Sequence, residues 1–583
     1  MATLALNRRV RDIAAPRLDR WGWLMLAVVL GVSLVVVLLP AVVLWLSVRE
    51  AHPIEPESAY SFLHYVTVFG DPIFLRVLWN TLVFSVTTLA VSFFFGLPAA
   101  WLVERTDLRA KPAVYTLMTL GLLMPGFASA MGWLFLLHSR IGILNRLLMD
   151  LFGLSEAPFN IASTVGMGWV MGLSLAPLAF IMTAAVLRSI DPALEESAHM
   201  SGAGFRSIMR RITLPLAWPG ILAAGIYIFT IGFAAFDVPA IIGWSNKIFT
   251  FSTYLVVQLS MEEGLPKYGA VAAQSMLVIA IAAVLIWWYS RLQRRANRYQ
   301  VVTGKGYRPR LTALRRHAWT AWGFLGAYFV LSKLLPLAVI VWASFLPYFR
   351  FPSEAAFKTM SFRQFENINW DLTIEGVKNT ALLMLFTPTL TIAVAVAFSW
   401  VVLRSKIPGR MGFDFIAFLP HAVPNIVFGV AVLLLTLFVL KNAIPIHGTI
   451  WILLLVFVVA RLSYATRMTN STLIQIHKDL EEAATICGAA TGDTVRRVIV
   501  PLLAPSLIYA WLWIALLTYR ELTLAVLLST RDNLTLPIVV WNAWVAGGFG
   551  AAAALTLILM SLMIPLVALY WWVMRRRGLM AAA

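Results

Sequence analysis

The stretch WGWLMLAVVLGVSLVVVLLPAVVLWLS, from Trp21 to Ser47, carries no charged side chain and is long enough to cross a lipid bilayer as a helix. Its apolar run is longer than the core of a secretory signal peptide, and no small-residue cleavage site follows it. We therefore interpret it as a retained membrane span. The arginines that precede it are Arg8, Arg9, Arg11, Arg17 and Arg20.

Comparable apolar blocks recur along the 583 residues of the chain. Hydrophobic residues make up 60% of the sequence and charged residues only 13%, whereas a soluble domain carries about a quarter charged residues. This composition predicts an all-α polytopic membrane protein with about twelve transmembrane helices. The predicted spans are 21–48, 78–103, 113–138, 162–188, 217–243, 268–290, 318–346, 376–402, 412–440, 448–475, 503–530 and 547–574.

The formal net charge of +19 is explained by membrane topology. When the gaps between spans are assigned to alternate sides, one side collects far more Lys and Arg than Asp and Glu, and the other is nearly balanced. The positive-inside rule places the first side, with both termini, in the cytoplasm. This interpretation leaves no reason to predict nucleic-acid binding. The most basic gap, 291–317, has nine cations and no acid, which suits a linker that contacts anionic lipids.

Two gaps repeat each other in sequence. EESAHMSGAGFRSIMRRITLPLAWPG from Glu195 aligns without gaps with EEAATICGAATGDTVRRVIVPLLAPS from Glu481, at an offset of 286. More weakly, WLVERT from Trp101 parallels WVVLRS from Trp400. The chain is therefore a duplication of two homologous six-helix halves. The predicted segments are a cytoplasmic N-terminal segment 1–20, a first half 21–290 with its loop at 191–219, the linker 291–317, a second half 318–574 with its loop at 477–505, and a cytoplasmic tail 575–583.

Each duplicated loop has the signals of a short helix, a turn and a second helix. Asp191 followed by Pro192 is typical of a helix start, and Asp479 and Glu482 have the spacing of a capping box. The glycines that follow can adopt the positive φ that ends a helix; they are Gly202 and Gly488.

The loops resemble a signature of the permeases of binding-protein-dependent ABC importers, E-A-A-x3-G-x9-I-x-L-P. The second copy matches it at Glu482, Ala483, Ala484, Gly488 and Pro501, with Val498 and Val500 in place of Ile and Leu. The first copy keeps Ile212, Leu214 and Pro215, with Ser197 in place of the first Ala. The resemblance implies the type I ABC importer permease fold. It also implies that each short helix is a coupling helix that docks on an ATPase through Glu195, Glu196, Gly202, Ala203, Pro215, Glu481, Glu482, Ala483, Ala484, Gly488 and Pro501.

Further expectations follow from this resemblance. The sequence has no G-x-x-x-x-G-K-[ST] motif, so ATP and Mg²⁺ are expected on a partner ATPase, in two copies to match the two loops. The chain itself is predicted to hold no cofactor and to be no enzyme. A substrate-binding protein is expected on the outer side, near 49–77 and 347–375. The predicted location is the bacterial inner membrane.

Charged residues inside spans are candidates for the translocation pathway. Asp237 and the Arg520-Glu521 pair lie in the fifth span of their respective halves, and Pro239 is expected to break the first of these helices. The alternative is that Glu521 pairs with Arg520, Arg461 or Arg467 to hold helices together. No metal site is predicted, because the single cysteine, Cys487, is expected to be a packing residue and the histidines are scattered at positions such as His138, His421 and His447.

Short phrases resemble the permeases of iron(III) importers: TGKGYRPR from Thr303, FDVPAIIG from Phe236 and YRELTLAVLL from Tyr519. Ferric iron is therefore the first hypothesis for the cargo. Thiamine, polyamine and phosphonate importers share the scaffold and remain alternatives. An ion-coupled secondary transporter is less favoured because it has no use for two coupling loops. A membrane-bound enzyme is disfavoured because the chain lacks an HExxH motif, a serine elbow and a cofactor fingerprint.

Overall fold

The computed structural model of the chain describes residues 19–53, 55, 57–120, 124–260, 266–296, 311–441 and 443–576. Most of the predicted N-terminal segment 1–20, linker 291–317 and tail 575–583 lies outside these residues. Among the described residues, ten helices are long and apolar enough to cross a membrane, and a bent pair, Arg410–His421 with Asn425–Val439, adds an eleventh. The predicted all-α polytopic fold is therefore confirmed.

The helices of the first half follow the predicted spans, with additional short helices between them. Their bounds are Arg20–Val48, Leu63–Gly70, Pro72–Arg105, Lys111–Leu120, Gly126–Leu137, Ile143–Phe152, Thr164–Arg188, Pro192–Met200, Phe205–Ile208, Leu214–Ala234, Asp237–Gly243, Phe251–Leu259 and Tyr268–Ala296. The third predicted span, 113–138, is divided between two of these helices, Lys111–Leu120 and Gly126–Leu137.

The second half repeats the order of the long helices, with some differences in the short ones. Its helices are Ala318–Phe329, Leu335–Ser344, Glu354–Lys358, Arg363–Glu366, Trp370–Leu403, Arg410–Ala422, Asn425–Leu434, Ile450–Leu473, Asp479–Ile486, Thr491–Thr494, Val500–Tyr519, Thr523–Leu528, Leu536–Val545 and Phe549–Arg576. Wider π-helical turns occupy Met209–Thr213, Val330–Leu334, Leu435–Val439 and Val495–Ile499. Tighter 3-10 turns occupy Trp244–Asn246, Arg315–His317 and Arg531–Asn533.

The second and fourth spans of the first half, Pro72–Arg105 and Thr164–Arg188, pack with very close backbones. A side chain at Gly96 would place its Cβ 2.9 Å from the carbonyl oxygen of Ala176. Gly168 and Gly172, one helical turn apart, are equally crowded by the second span. Small residues in a small-xxx-small pattern let membrane helices approach in this way.

The duplication extends to side-chain contacts near the N-terminal end of the second span of each half. The amide of Asn80, in the second span, donates to the carbonyl oxygen of Phe249 at 3.1 Å. The amide of Asn379, its counterpart in the eighth span, donates to the carbonyl oxygen of Leu534 at 2.9 Å. Each asparagine thus ties a span to the loop that follows the fifth span of its half.

The compact units of the structure do not coincide with the two halves of the duplication, because each unit contains the first span of the other half and one also contains most of the last span. Among the described residues, one unit comprises those in Met1–Ser58, Glu375–Thr535 and Leu566–Ala583, and the other those in Ala59–Ile374 and Leu536–Pro565. In the first unit, the first span packs on second-half helices through Leu26 and Val29. In the second unit, the seventh span packs on first-half helices, where the hydroxyl of Tyr328 donates to the carbonyl oxygen of Leu173 at 3.0 Å. The predicted halves 21–290 and 318–574 therefore describe the duplication in the sequence, and the helices pack in a different grouping.

Candidate functional site

The helix of the first duplicated loop begins as the sequence predicts. The carboxylate of Asp191 accepts a hydrogen bond from the backbone N–H of Ala193 at 2.9 Å, and Pro192 is the first helical residue. The second copy differs, because His477 and Lys478 stand in the places of Asp191 and Pro192. Its helix begins at Asp479, whose carboxylate faces the His477 ring at 3.0 Å. The cap residue is Lys478, which forms no side-chain cap hydrogen bond, so the predicted capping box of Asp479 with Glu482 is wrong.

The turn that ends each helix is the same in both copies. Gly202 and Gly488 have φ of +83° and +84°, as predicted, and each follows a short helix. In the first copy, the N–H of Gly202 donates to the His199 carbonyl at 3.0 Å, and the N–H of Ala203 donates to the Ala198 carbonyl at 2.9 Å. The second copy forms the same two bonds one repeat later. This arrangement is a Schellman motif, which satisfies carbonyls at a helix end and requires a left-handed residue.

The first glutamate of each pair faces a buried arginine of the same chain. The Glu195 carboxylate lies 3.4 Å from the Arg105 guanidinium and accepts a hydrogen bond from the Thr213 hydroxyl at 2.8 Å. Glu481 lies 2.5 Å from the guanidinium of Arg404. The sequence predicts that both glutamates belong to the docking surface, and the structure places each against an arginine at the end of a membrane span. Their docking role stays a prediction.

The same arginines hold the end of the fourth span in each half. Arg105 donates to the carbonyl oxygen of Leu187 at 3.0 Å, and Arg404 donates to those of Leu473 and Ile476 at 3.0 and 2.8 Å. Sequence reasoning missed these arginines. The available signal was the weak repeat of WLVERT and WVVLRS, which aligns Arg105 with Arg404.

The outward face of the short helices combines acidic and apolar side chains. Glu482 and Ala483 are exposed, and Glu196 is half-buried. Met200 and Ile486, which occupy equivalent positions at the helix ends, are 84% and 87% exposed. The remaining predicted positions are exposed or half-buried: Ala203, Pro215, Ala484 and Pro501. Cys487, expected to pack inside, is exposed as well.

A π-helical turn precedes the re-entry of each loop into the membrane. It occupies Met209–Thr213 in one copy and Val495–Ile499 in the other, two residues before Pro215 and Pro501 respectively. Proline lacks the N–H that an α-helical bond needs, so a wider turn at this place lets the helix continue.

The fifth span is interrupted in both halves. The first copy breaks between Leu214–Ala234 and Asp237–Gly243, and the second between Val500–Tyr519 and Thr523–Leu528. The first break comes before Pro239, which lies in the first turn of Asp237–Gly243, where its missing N–H costs nothing.

The third span of each half is interrupted as well, and its helix resumes directly after Pro125 in the first half and after Pro424 in the second. Each short helix beyond the fifth-span break packs on the helix that follows the third-span break of its own half. Interrupted helices of this kind commonly form transport pathways, because the break leaves backbone polar groups free inside the membrane.

The charged residues at these breaks have different surroundings. The Asp237 carboxylate lies against Gly126, where a Cβ would be only 1.9 Å from its Oδ2, so a larger residue there would displace the Asp237 side chain. Glu521 forms an ion pair with Arg461 and accepts the backbone N–H of Leu524 at 3.2 Å. Arg520 lies between Glu521 and the last residue of the helix Val500–Tyr519, and it is the C-cap of that helix. By the 286-residue offset, the counterpart of Asp237 is Thr523, so the two acids are close in position without being equivalent.

Asp19, at the start of the first span, caps two helices at once. Its carboxylate accepts the N–H of Gly22 at 2.8 Å and the N–H of Thr491, in the second duplicated loop, at 2.7 Å. Burial raises the pKa of Asp19, but these two hydrogen bonds outweigh it and hold the pKa below its usual value. The ring of Trp21 covers Gly492 beside this contact.

Replacing Asp19 by asparagine should destabilise the chain by about 1 kcal/mol, because an amide can accept only one of the two N–H groups well. A depressed carboxyl pKa stabilises the fold above the unfolded-state pKa and loses that effect as the pH falls through the folded value. The Asp19→Asn variant should therefore melt at a lower temperature at neutral pH and lose part of the acid dependence. Melting curves of purified wild type and variant across acidic pH test this, and superimposable curves would contradict it.

Comparison with known proteins agrees with the duplicated architecture. Residues 92–298 and 389–578 both match the family described as binding-protein-dependent transport system inner membrane component. A ferric transport system permease protein of Actinobacillus pleuropneumoniae is 24% identical over 526 residues, which cover 87% of this chain and 72% of the relative. An Fe(3+)-transport system permease protein of Haemophilus influenzae is 22% identical, with coverage of 85% and 90%.

Among solved structures, a bacterial alginate ABC transporter in complex with an alginate-bound periplasmic protein is 25% identical, with a TM-score of 0.34, and covers 41% of this chain and 85% of its own. The two family matches together span more than half of the sequence and fall once in each half. The chain therefore belongs to the family of inner-membrane components of binding-protein-dependent transport systems.

Proposed function

We propose that this chain forms the membrane pathway of an ATP-driven importer for ferric iron, with both coupling loops and both termini in the cytoplasm. The observation that carries the proposal is the repetition of one loop geometry in both halves: a short helix, a left-handed glycine and an arginine-bound glutamate. A transporter driven by two identical motor subunits needs two equivalent docking sites on its permease, and the duplication supplies them.

The outward face of each short helix suits an ATPase groove. Met200 and Ile486 offer exposed apolar side chains, and Glu196 and Glu482 add negative charge beside them. A few apolar anchors within a charged rim are typical of protein interfaces. ATP and Mg²⁺ are then bound by the partner, and this chain is a translocation subunit with no catalytic residue of its own.

Transport in this proposal proceeds by alternating access. ATP draws the two motor subunits together and moves the coupling helices with them, and the broken third and fifth spans change their exposure to either side. A binding protein delivers the cargo to the outer face, as the family description implies. We keep Asp237 as a candidate contact of the pathway. Glu521 suits a structural role better, because Arg461 neutralises it in a buried pair.

The cargo assignment is supported by the relatives, because both are named as permeases of ferric iron transport systems. Thiamine, polyamine and phosphonate remain the alternatives within the same scaffold. Ferric iron is a substrate in this proposal and needs no resident site on the chain. Its uptake can be compared with uptake of thiamine in cells that express or lack the chain, and a gain for thiamine without a gain for iron would contradict the assignment.

Co-purification tests the motor assignment directly. The tagged chain is extracted from its native membrane, and bound proteins are identified and assayed for ATP hydrolysis. We expect a P-loop ATPase to co-purify with the chain. Its binding should slow maleimide labelling of Cys487, the only cysteine in the sequence, which is exposed just after the second coupling helix. Combining Glu196→Lys with Glu482→Lys should release the ATPase and restore labelling.

A matched control reverses two exposed acids that lie in predicted outer gaps, Glu156→Lys with Glu366→Lys. This variant should retain the ATPase, because the same change in net charge falls on the other side of the membrane. If the unmodified chain purifies without an ATPase and transports in response to an ion gradient, the proposal is wrong.

A further inference from the structure

We propose that Arg105 and Arg404 are positioning residues that carry the movement of each coupling helix into the membrane spans. The inference rests on the function proposed above and concerns how the chain uses the force that an ATPase applies. It assigns different tasks to the two glutamates of each pair. The first, Glu195 or Glu481, ties the helix to the spans, and the second, Glu196 or Glu482, faces the partner.

Each arginine joins three elements of its half. Arg404 directly follows the helix Trp370–Leu403, which is the eighth span. It forms an ion pair with the carboxylate of Glu481 on the coupling helix and donates hydrogen bonds to the carbonyls of Leu473 and Ile476 at the end of the tenth span. A displacement of the coupling helix therefore pulls directly on two spans.

The first half repeats this arrangement with the counterparts of the same residues. Arg105 ends the helix Pro72–Arg105 and donates to the carbonyls of Leu187 and Ile190 at 3.0 and 3.4 Å. Its carboxylate partner, Glu195, also accepts the hydroxyl of Thr213, at the start of the fifth span. The same three-way connection occurs twice in one chain, in sequences that have otherwise diverged.

The chemistry of arginine suits this connection better than that of any other residue. The last carbonyls of a helix have no partner within the helix, and a planar guanidinium can reach a carbonyl and a carboxylate at once. The side chains of Arg105 and Arg404 are only 9% and 8% exposed, so water competes little for these bonds. A lysine would keep the positive charge but lack the planar set of N–H donors that reaches two acceptors at once.

Burial separates the tasks of the two glutamates most clearly in the second half. The side chain of Glu481 is 16% exposed and bound to Arg404. Glu482, the next residue, is exposed. Successive residues of a helix point about 100° apart, so both cannot face the arginine, and one is left for the partner.

The test separates docking from transmission. A reporter cysteine, Thr523→Cys, is placed at the fifth-span break in a Cys487→Ser background, and its maleimide labelling is followed with and without ATP and vanadate. In the unmodified arginine background, nucleotide should change the labelling rate. Arg404→Lys should keep the ATPase bound and hydrolysing, while the nucleotide-dependent change falls about tenfold, as expected for loss of a charge-assisted hydrogen bond. If Arg404→Lys folds poorly, Glu481→Gln serves as a second variant. It keeps the side-chain shape and should likewise reduce the nucleotide-dependent change in labelling.

Arg467→Lys is the matched control, because Arg467 pairs with Asp414 at 3.3 Å with half of its side chain exposed. It should leave the nucleotide-dependent change intact. A full labelling change in both Arg404→Lys and Glu481→Gln would overturn the inference, and so would loss of the ATPase from either variant, which would make the arginine a docking residue. Absence of any ATPase from the unsubstituted chain would instead overturn the proposed function.

Discussion

Gly488→Val is expected to reduce ferric iron uptake by at least about tenfold while the chain still inserts in the membrane. Gly488 has φ of +84° and no atom within 4 Å of the position of a Cβ. The effect of the substitution is therefore conformational and not a steric clash with a neighbour. A left-handed conformation costs an L-residue about 1–2 kcal/mol, and a β-branched side chain more, which corresponds to about tenfold or greater in an equilibrium.

This conformational free energy destabilises the end of the second coupling helix. Without a left-handed residue, the two bonds of the Schellman motif open, and Ile486 and Glu482 lose their fixed positions. We expect the ATPase to co-purify less well and Cys487 to become faster to label. Uptake should be normalised to the amount of chain in the membrane, so that a folding defect is not mistaken for uncoupling.

Two further substitutions make this experiment specific. Gly409 also has a positive φ, +79°, with nothing within 4 Å of a Cβ, but it lies in a different loop. Gly409→Val introduces the same backbone strain and should leave transport nearly unchanged. Gly488→Asn should retain more transport than Gly488→Val, because asparagine tolerates the left-handed region. Normal uptake with Gly488→Val would contradict the coupling role of this turn.

The left-handed glycines could be predicted because their signal is local. A glycine just after a short helical pattern has one common use, and the repeat provided the same signal twice. The spans could be predicted because apolar length alone determines them. The capping box predicted for the second coupling helix is wrong, because Asp479 is a residue type that often caps helices but lies inside this one, and His477 stands where the first copy has its Asp cap.

The helix breaks could not be located from proline alone. Pro98 and Pro177 lie inside helices that continue through them, whereas Pro125 and Pro424 each begin a new helix. Neighbouring helices decide whether the freed backbone groups are satisfied in place, and a single sequence does not list those neighbours.

The arginine connections were hidden for a related reason. Arg105 and Arg404 stand at the ends of spans that the positive-inside rule assigns to the cytoplasm, and that rule already explains a basic residue there. Their partners, such as Leu187 and Glu481, follow about 70 to 90 residues later in the sequence. The exchange of the first spans between units is equally a matter of tertiary packing, because hydropathy records the length of a span and not its neighbours.

Removing the buried partner of Glu521 is expected to have the largest effect on stability. Glu521 is 7% exposed, and its carboxylate is paired with Arg461, whose side chain is 12% exposed. Arg461→Met would leave a charged carboxylate inside the protein without a counter-ion, which costs about 3–5 kcal/mol. We expect the detergent-solubilised variant to melt at a much lower temperature or to fail to accumulate. Arg467→Met, which breaks a half-exposed pair with Asp414, should cost no more than about 1 kcal/mol.

The double variant Arg461→Met with Glu521→Gln distinguishes a structural pair from a pathway charge. Glutamine is neutral and can still accept the N–H of Leu524, so most of the lost stability should return. If the ion pair only holds the tenth span to the break in the fifth span of the second half, the double variant should also transport. A stable double variant that binds its ATPase and transports nothing would show that the charge at Glu521 acts on the cargo. Recovery of both stability and uptake would leave Asp237, beside Gly126, as the acid to test next in the first half.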